Sequence, residues 1–280
     1  MKMMSKVVTL ILLPLFFIGL CILLYPAISQ YWNSVTQSKM LVKYEQNKKN
    51  ISEEDYSLLF EGAYEYNKAL SELEYPLKEY DSVSGYSEVL NLSGTGMMGY
   101  ITIDKIRVEL PIYHGVGVDV LNVACGHLPG TSIPVGGKGT HAVLSAHRGL
   151  PTAKLFTNLD KLEIGDTFTI TILDIILTYQ VDQISIVRPN DTSKLNISDG
   201  EDYVTLLTCT PYGINSHRLL VRGKRIETNV VRNYYITSEA YIIDKLIVSP
   251  LVALPIILAL IIYVLIKPVK PKVYSEEELL

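Results

Sequence analysis

Residues 7–28 and 246–266 form two apolar runs without a single charge. Each is close to the ~20 residues that cross a hydrocarbon core as helix, so two membrane spans are predicted with one long segment between them. From Ser52 the pattern becomes helical. Ser52 and Asp55 resemble a capping box, and Tyr56, Leu59, Phe60, Ala63, Asn67 and Leu70 recur at three- and four-residue spacing. This predicts an amphipathic helix of about six turns that stops near Pro76. Residues 75–99 read as loop, with Gly85, Gly94, Gly96 and Gly99 and no sustained period. Beyond Gly99 the period falls to two. Residues 100–103, 107–112, 140–146, 167–173, 178–187, 203–209 and 218–224 read as short strands rich in β-branched side chains, broken by Gly and Pro clusters. Seven or eight such strands with little helix predict a compact β-barrel or sandwich.

Composition places this architecture at a membrane. A hydrophobic share of 48% and 19% charged residues exclude a disordered chain. The formal net charge is −4, and the segment between the spans is more acidic still, because Lys2, Lys6, Lys267, Lys270 and Lys272 flank the spans. A nucleic-acid partner is therefore not expected, since phosphate binding needs a basic surface. Those flanking lysines favour cytoplasmic termini and an extracytoplasmic middle segment, which translocates largely regardless of Lys39, Lys43 and Lys48. Ala27 and Ser29 would pass as a cleavage site, but the apolar run exceeds the ~7–15 residues of a signal-peptide core. A retained anchor is the better reading.

Cys209 is the sharpest chemical feature. It ends an apolar strand and precedes the turn sequence Thr210-Pro211-Tyr212-Gly213; Arg218 then opens the next strand. If the two strands pair as a hairpin, the guanidinium lies beside the thiol. The competing reading is an inert core cysteine, free Cys being among the most buried residue types. A catalytic thiol needs a partner for its proton. Of five histidines, His147 ranks first because Ser145-Ala146-His147-Arg148-Gly149 also ends an apolar strand; His127 ranks second. Arg218 suits an oxyanion, with Arg148 as runner-up. His141 and His147 match no zinc-ligand spacing, and neither a metal nor a cofactor is expected.

These segments also carry a resemblance. Thr205-Leu206-Leu207-Thr208-Cys209 followed by Arg218 resembles the sortase signature TLxTC…R, and the segment around His147 resembles the sortase histidine segment. Leu110-Pro111-Ile112-Tyr113-His114, residues 126–137, Arg148-Gly149-Leu150-Pro151 with Leu155-Phe156-Thr157, and residues 209–218 resemble the class C, pilus-assembling sortases of Gram-positive bacteria. The resemblance implies a mainly β fold, a closed eight-stranded sortase-type barrel with an N-terminal helical and loop segment and two flanking transmembrane helices. It implies Cys209 as nucleophile, His147 as general acid/base and Arg218 as transition-state stabiliser. The implied reaction is cleavage of an LPxTG-like sorting motif and transfer of the acyl group to a lysine amine of a pilin subunit. The expected organisation is an anchor over 1–28, a helical segment and loop over the active site at 29–96, the catalytic barrel at 97–228, a linker at 229–245, a second span at 246–266 and a cytoplasmic tail at 267–280. Two departures stand out. Class C enzymes usually carry an Asp-Pro-aromatic lid, whereas this chain has Glu74-Tyr75-Pro76-Leu77 and Asp81-Ser82-Val83 there, and Cys125 stands where no cysteine is expected. Competing readings are a membrane-anchored cysteine peptidase, a non-enzymatic surface scaffold, and redox control through a Cys125–Cys209 disulfide.

Overall fold

The computed structural model describes residues 2–92 and 94–228, together with residue 257. The predicted span at 246–266, its linker and its tail thus lie outside the described residues, apart from residue 257. Two compact units divide the chain, residues 1–27 with 233–280, and residues 28–232.

In the first unit, residues 2–27 belong to helix α1 (Lys2–Lys48), the one helix among the described residues long and apolar enough to cross a membrane. Ile11, Leu15, Phe17, Ile18, Ile22 and Leu23 are exposed along it, the surface expected of a segment whose solvent is lipid.

In the second unit α1 continues beyond the predicted boundary at residue 28. Gln30, Asn33, Gln37, Tyr44 and Lys48 share one helix face by spacing. Gln37 donates to the Val123 carbonyl (2.7 Å) and Tyr44 to that of Met98 (2.9 Å), while Leu173 N–H donates to the Tyr44 hydroxyl (2.9 Å). This face is polar rather than apolar, so hydrophobic periodicity did not reveal it. Helix α2 (Glu53–Ser71) follows, with Ser52 as N-cap accepting from Asp55 N–H (3.1 Å) and Phe60, Ala63, Tyr66, Asn67 and Leu70 buried. It ends before Pro76, short of six turns. Asn67 explains the amide on its buried face: it donates to the Ile133 carbonyl (3.0 Å) and accepts from Ile133 N–H (2.6 Å). The predicted loop at 75–99 contains one further turn, α3 (Pro76–Glu79), started by proline at its first position.

Eight strands close a barrel: β1 (Met97–Ile103), β2 (Val108–His114), β3 (Cys125–His127), β4 (Thr140–Ser145), β5 (Thr167–Ile172), β6 (Ile175–Val187), β7 (Asp202–Thr210) and β8 (His217–Ile226). Their order is β1-β2-β3-β4-β7-β8-β6-β5, closed on itself. Seven of the eight correspond to the strands expected from alternation; β3, three residues long, is too short to alternate visibly. Alternate residues fill the interior, among them Ile101, Ile103, Leu144, Phe168, Ile170, Tyr179, Leu206 and Val221, all at or below 1% exposure. Each such side chain stabilises the fold by roughly 1.5–3 kcal/mol relative to exposure. Closure leaves no free sheet edge, so the strand ends can be held rigidly enough to position chemistry.

Candidate active site

β7 and β8 form the predicted hairpin, and their register sets Cys209 directly opposite Arg218. The same ladder pairs Leu207 with Leu220 and Thr205 with Arg222. Paired residues share a face, and the interior positions of these strands are Val204, Leu206, Leu219 and Val221. Cys209 and Arg218 therefore sit on the outer face of the barrel wall. The thiol is half-buried and free, unlike an inert core cysteine.

His147 arrives on the other side of β7. β4 runs parallel to β7 with Val143 opposite Thr205 and Ser145 opposite Leu207. β4 and its ladder with β7 end at Ser145, so His147 lies two residues past that strand end, as Cys209 lies two residues past Leu207 on β7. Side-chain and backbone bonds hold the pair of strand ends together. Ala146 N–H donates to the Leu207 carbonyl (3.2 Å), and Thr208 Oγ1 donates to the Ala146 carbonyl (2.7 Å). Phe156 N–H donates to the His147 carbonyl (3.1 Å), tying the next loop beneath it. The thiol and the guanidinium are thus carried by adjacent strands β7 and β8, and the imidazole by the segment that leaves the end of β4.

Arg218 bends over the loop joining β7 to β8, donating through Nη1 to the carbonyls of Asn215 (3.2 Å) and His217 (3.1 Å). Arg148, the runner-up, is committed elsewhere. Its Nη2 donates to Asp160 Oδ2 (2.6 Å) and its Nη1 to Thr210 Oγ1 (3.1 Å). It clamps the segment after His147 to the residue after Cys209, with its charge matched by a carboxylate. Sequence reasoning missed that clamp because Asp160 carries no motif.

The remaining histidines have structural partners. His127 is fully buried, with Nδ1 on the Tyr86 hydroxyl (3.0 Å) and Nε2 on the Ser132 carbonyl (2.8 Å), and burial pushes its pKa down to about 4. That removes the second-ranked candidate, since an imidazole sealed in the wall meets no substrate. His141 bonds the Asn196 carbonyl and Thr205 Oγ1, both at 2.8 Å, and fastens the connection between β6 and β7. Cys125 lies in the interior at 0% exposure, where burial raises its thiol pKa strongly. Two strand spacings separate β3 from β7, ~9.6 Å in all. A disulfide needs Cα atoms within ~7 Å, so the Cys125–Cys209 alternative is set aside, and both thiols are free.

Burial lowers the pKa of His147 below the ordinary histidine value. At neutral pH the imidazole is neutral and able to accept a proton. With His147 as the proton acceptor, activity is lost on acidification below the ordinary histidine range. The acid limb of kcat/KM is expected below the ~6.5 of an unperturbed histidine. A pH–rate profile with peptide substrate checks this, and an acid limb above ~6.5 would remove His147 from the role of proton acceptor.

A small apolar cluster lines the Cys209 face. Val143, Val187, Leu195 and Leu220 are buried outside the barrel interior, with Leu77, Leu128 and Leu207 packed against them. Three different connections supply Leu77, Leu128 and Leu195, so the cluster is invisible to local patterning.

The model of the Sortase domain matches residues 101–226. Over its whole length (100%), the solved sortase C1 of Streptococcus agalactiae is similar to 68% of this chain, with 45% identity and a TM-score of 0.63. The chain belongs to the sortase family. Within it, this is a class C sortase, as its likeness to sortase C1 and to a Clostridium perfringens sortase C solved with the C-terminal cell wall sorting motif indicates; the latter shares 42% identity over 68% of this chain and 99% of that one, with a TM-score of 0.59. Sortase D of Bacillus subtilis is 30% identical over 131 residues, 46% of this chain and 63% of that protein. The chain spans roughly half to two thirds of the length of the curated relatives it matches.

In this sortase the segment lacking the Asp-Pro-aromatic triplet is nevertheless docked near the site. A Cβ on Gly130 would stand 2.8 Å from Leu77 Cα and 2.9 Å from the Pro76 carbonyl oxygen. Only glycine permits that approach, and its φ of +83° is also one that other residues rarely adopt. Leu77 thereby reaches the cluster containing Leu220 and Leu207, two residues from Arg218 and Cys209 respectively.

Proposed function

We propose that this protein is a membrane-anchored cysteine transpeptidase, which cleaves an LPxTG-like sorting motif and joins the acyl group to a lysine amine of a pilin subunit. The observation that carries the reading is the cross-strand pairing of Cys209 with Arg218, beside the strand end that bears His147.

The chemistry proceeds in two balanced steps. Cys209 Sγ attacks the carbonyl carbon of the motif's threonine as His147 takes the thiol proton. Arg218 donates to the carbonyl oxygen while it carries negative charge. The carbon–nitrogen bond breaks, the departing glycine amine takes the proton from His147, and a thioester remains on Cys209. A lysine amine then attacks the thioester, passes a proton to His147, and expels the thiolate, which is reprotonated. One amide is broken and one formed, so no nucleotide is consumed, which suits an extracytoplasmic enzyme. Residues 7–28 and 246–266 as two spans, with Lys2, Lys6, Lys267, Lys270 and Lys272 on the cytoplasmic side, leave the catalytic barrel between them on the outer side, where the bilayer holds the spans and no nucleic-acid partner is expected.

Product analysis tests the reading. Purified protein, an LPxTG-like peptide and a lysine-bearing pilin acceptor should yield an isopeptide-linked product, with hydrolysis as the slower outcome. Exclusive release of the free acid in the presence of acceptor would establish a peptidase instead. A surface scaffold would give neither product.

A further inference from the structure

Helix α2 carries a second stripe besides the one it buries. Asp55, Leu58, Gly62, Glu65 and Ala69 recur at three- and four-residue spacing, beside the core-facing Phe60, Ala63, Asn67 and Leu70. Together with residues 83–92 this stripe encloses a groove of ≈ 740 Å³, within the ~300–1,000 Å³ of sites that hold a ligand. Leu59, Val89 and Leu92 are only partly buried by the core and line the groove. Leu58 beside them is 58% exposed. Tyr66 lines it as well, and its buried hydroxyl has no hydrogen-bond partner among the described residues.

Gly62 shows that the space is kept open. Glycine in a helix interior weakens the helix relative to alanine. Internal packing does not require it here, because an added Cβ would meet nothing within 4 Å. A bare stretch of helix backbone facing open space lets a chain from outside approach closely.

Charge sets what can lie there. Residues 53–92 hold ten Asp and Glu against Lys68 and Lys78, a net of −8, where the whole chain has −4. Asp55, Glu65 and Glu88 stand exposed along the groove. Among the described residues no Lys or Arg pairs with them. An apolar floor between carboxylates without a cation fits a polypeptide that carries lysine beside apolar side chains. Of the two substrates, the acceptor is the one defined by a lysine. Residues 72–82 join the two walls and carry Leu77 into the apolar cluster on the Cys209 face, so the groove lies one connection away from that face.

We propose that the groove between α2 and residues 83–92 docks a cationic, apolar segment of the acceptor pilin and so recruits the second substrate of transpeptidation. This rests on the reading of a lysine-bearing pilin as acceptor. Docking of this kind is binding made equally before and during the reaction, so it shows in the KM for the acceptor.

Full-length protein in detergent, acylated by a fluorescent LPxTG-like peptide, is resolved by two amines: the pilin acceptor, which can dock, and hydroxylamine, which is too small to use the groove. Wild type is compared with Gly62→Leu, which fills the groove, and with Glu65→Lys combined with Glu88→Lys, which reverses its charge. Both variants are expected to raise the KM for pilin about tenfold or more at near-unchanged kcat. Added salt should raise the wild-type KM in the same sense. Acyl-enzyme formation and turnover with hydroxylamine should keep their rates. Gly62→Leu should also raise the melting temperature, because it removes a glycine from a helix interior. Weaker binding with greater stability is a combination that a merely structural role does not produce. Circular dichroism checks each fold, and Glu65→Gln with Glu88→Gln replaces any form that is not folded. A pilin KM within about twofold of wild type in both variants, with isopeptide product still formed, overturns the docking and leaves the transpeptidase reading standing. An equal loss with hydroxylamine overturns it too, since the effect then lies at Cys209. A dimer of this chain that Gly62→Leu abolishes makes a second copy the occupant and overturns the pilin. Wild type that releases only free acid in the presence of pilin overturns the acceptor reading, and the docking with it.

Discussion

Cys209→Ala yields a folded protein that forms no pilin ladder and no acyl-enzyme. The thiol is half-buried on the outer face of β7, one residue from the strand end. Its loss removes few interior contacts, and a surface change of this kind usually alters stability by about 0.5 kcal/mol or less. Activity falls completely, because both proposed steps pass through a bond to this sulfur and no other group replaces it. Polymer ladders on denaturing gels and a mass shift of the intact protein with peptide substrate read the effect, while thermal melting reads the fold. Ladders that persist would remove Cys209 as nucleophile. Cys125→Ala is the matched control. It lies in the barrel interior, so it costs stability and leaves the reaction in place.

Arg218→Ala lowers kcat/KM by roughly 10²–10³ or more, the loss that follows removal of one preorganised oxyanion donor. The chain keeps its fold, since Arg218 bonds only loop carbonyls through Nη1 in a half-exposed position. Arg218→Lys recovers little, because an ammonium is a point charge and not a planar fork. Single-turnover formation of the acyl-enzyme isolates the step concerned. Arg148→Ala separates the two arginines: it breaks a clamp to Asp160 and Thr210, so it lowers thermal stability together with activity. A mild effect at Arg218 with intact stability would transfer the oxyanion role away from it.

Much of the site was legible because a hairpin is local. Cys209 and Arg218 are separated by one short turn, and alternation along each strand sets which side chains share a face. The same logic exposed seven strands and the capped start of α2, whose Ser52 performs the bond its spacing implied. Legibility stopped where pairing is distant. His127 ranked second to the strand-end His147, and only Tyr86 and Ser132, distant in sequence or hidden by loop pattern, show that it is sealed inside the wall. Arg148 and Arg218 looked comparable until Asp160 proved to hold one of them. The α1 docking face escaped notice because its contacts are amide and phenol bonds to loop carbonyls, which leave no apolar stripe.

By itself, then, the order of residues determined the strands, the hairpin that sets Cys209 opposite Arg218 and the apolar run near the N-terminus, because each depends on neighbours within a few positions. Tertiary structure alone decided that β4 lies parallel to β7, setting the segment that bears His147 beside a strand far along the chain, that Leu77 reaches the Cys209 face, and that Gln30 holds the Pro151 carbonyl. Parallel pairing and helix docking close long loops, and their free energy is recovered only when the whole barrel has closed. No short stretch of sequence carries it.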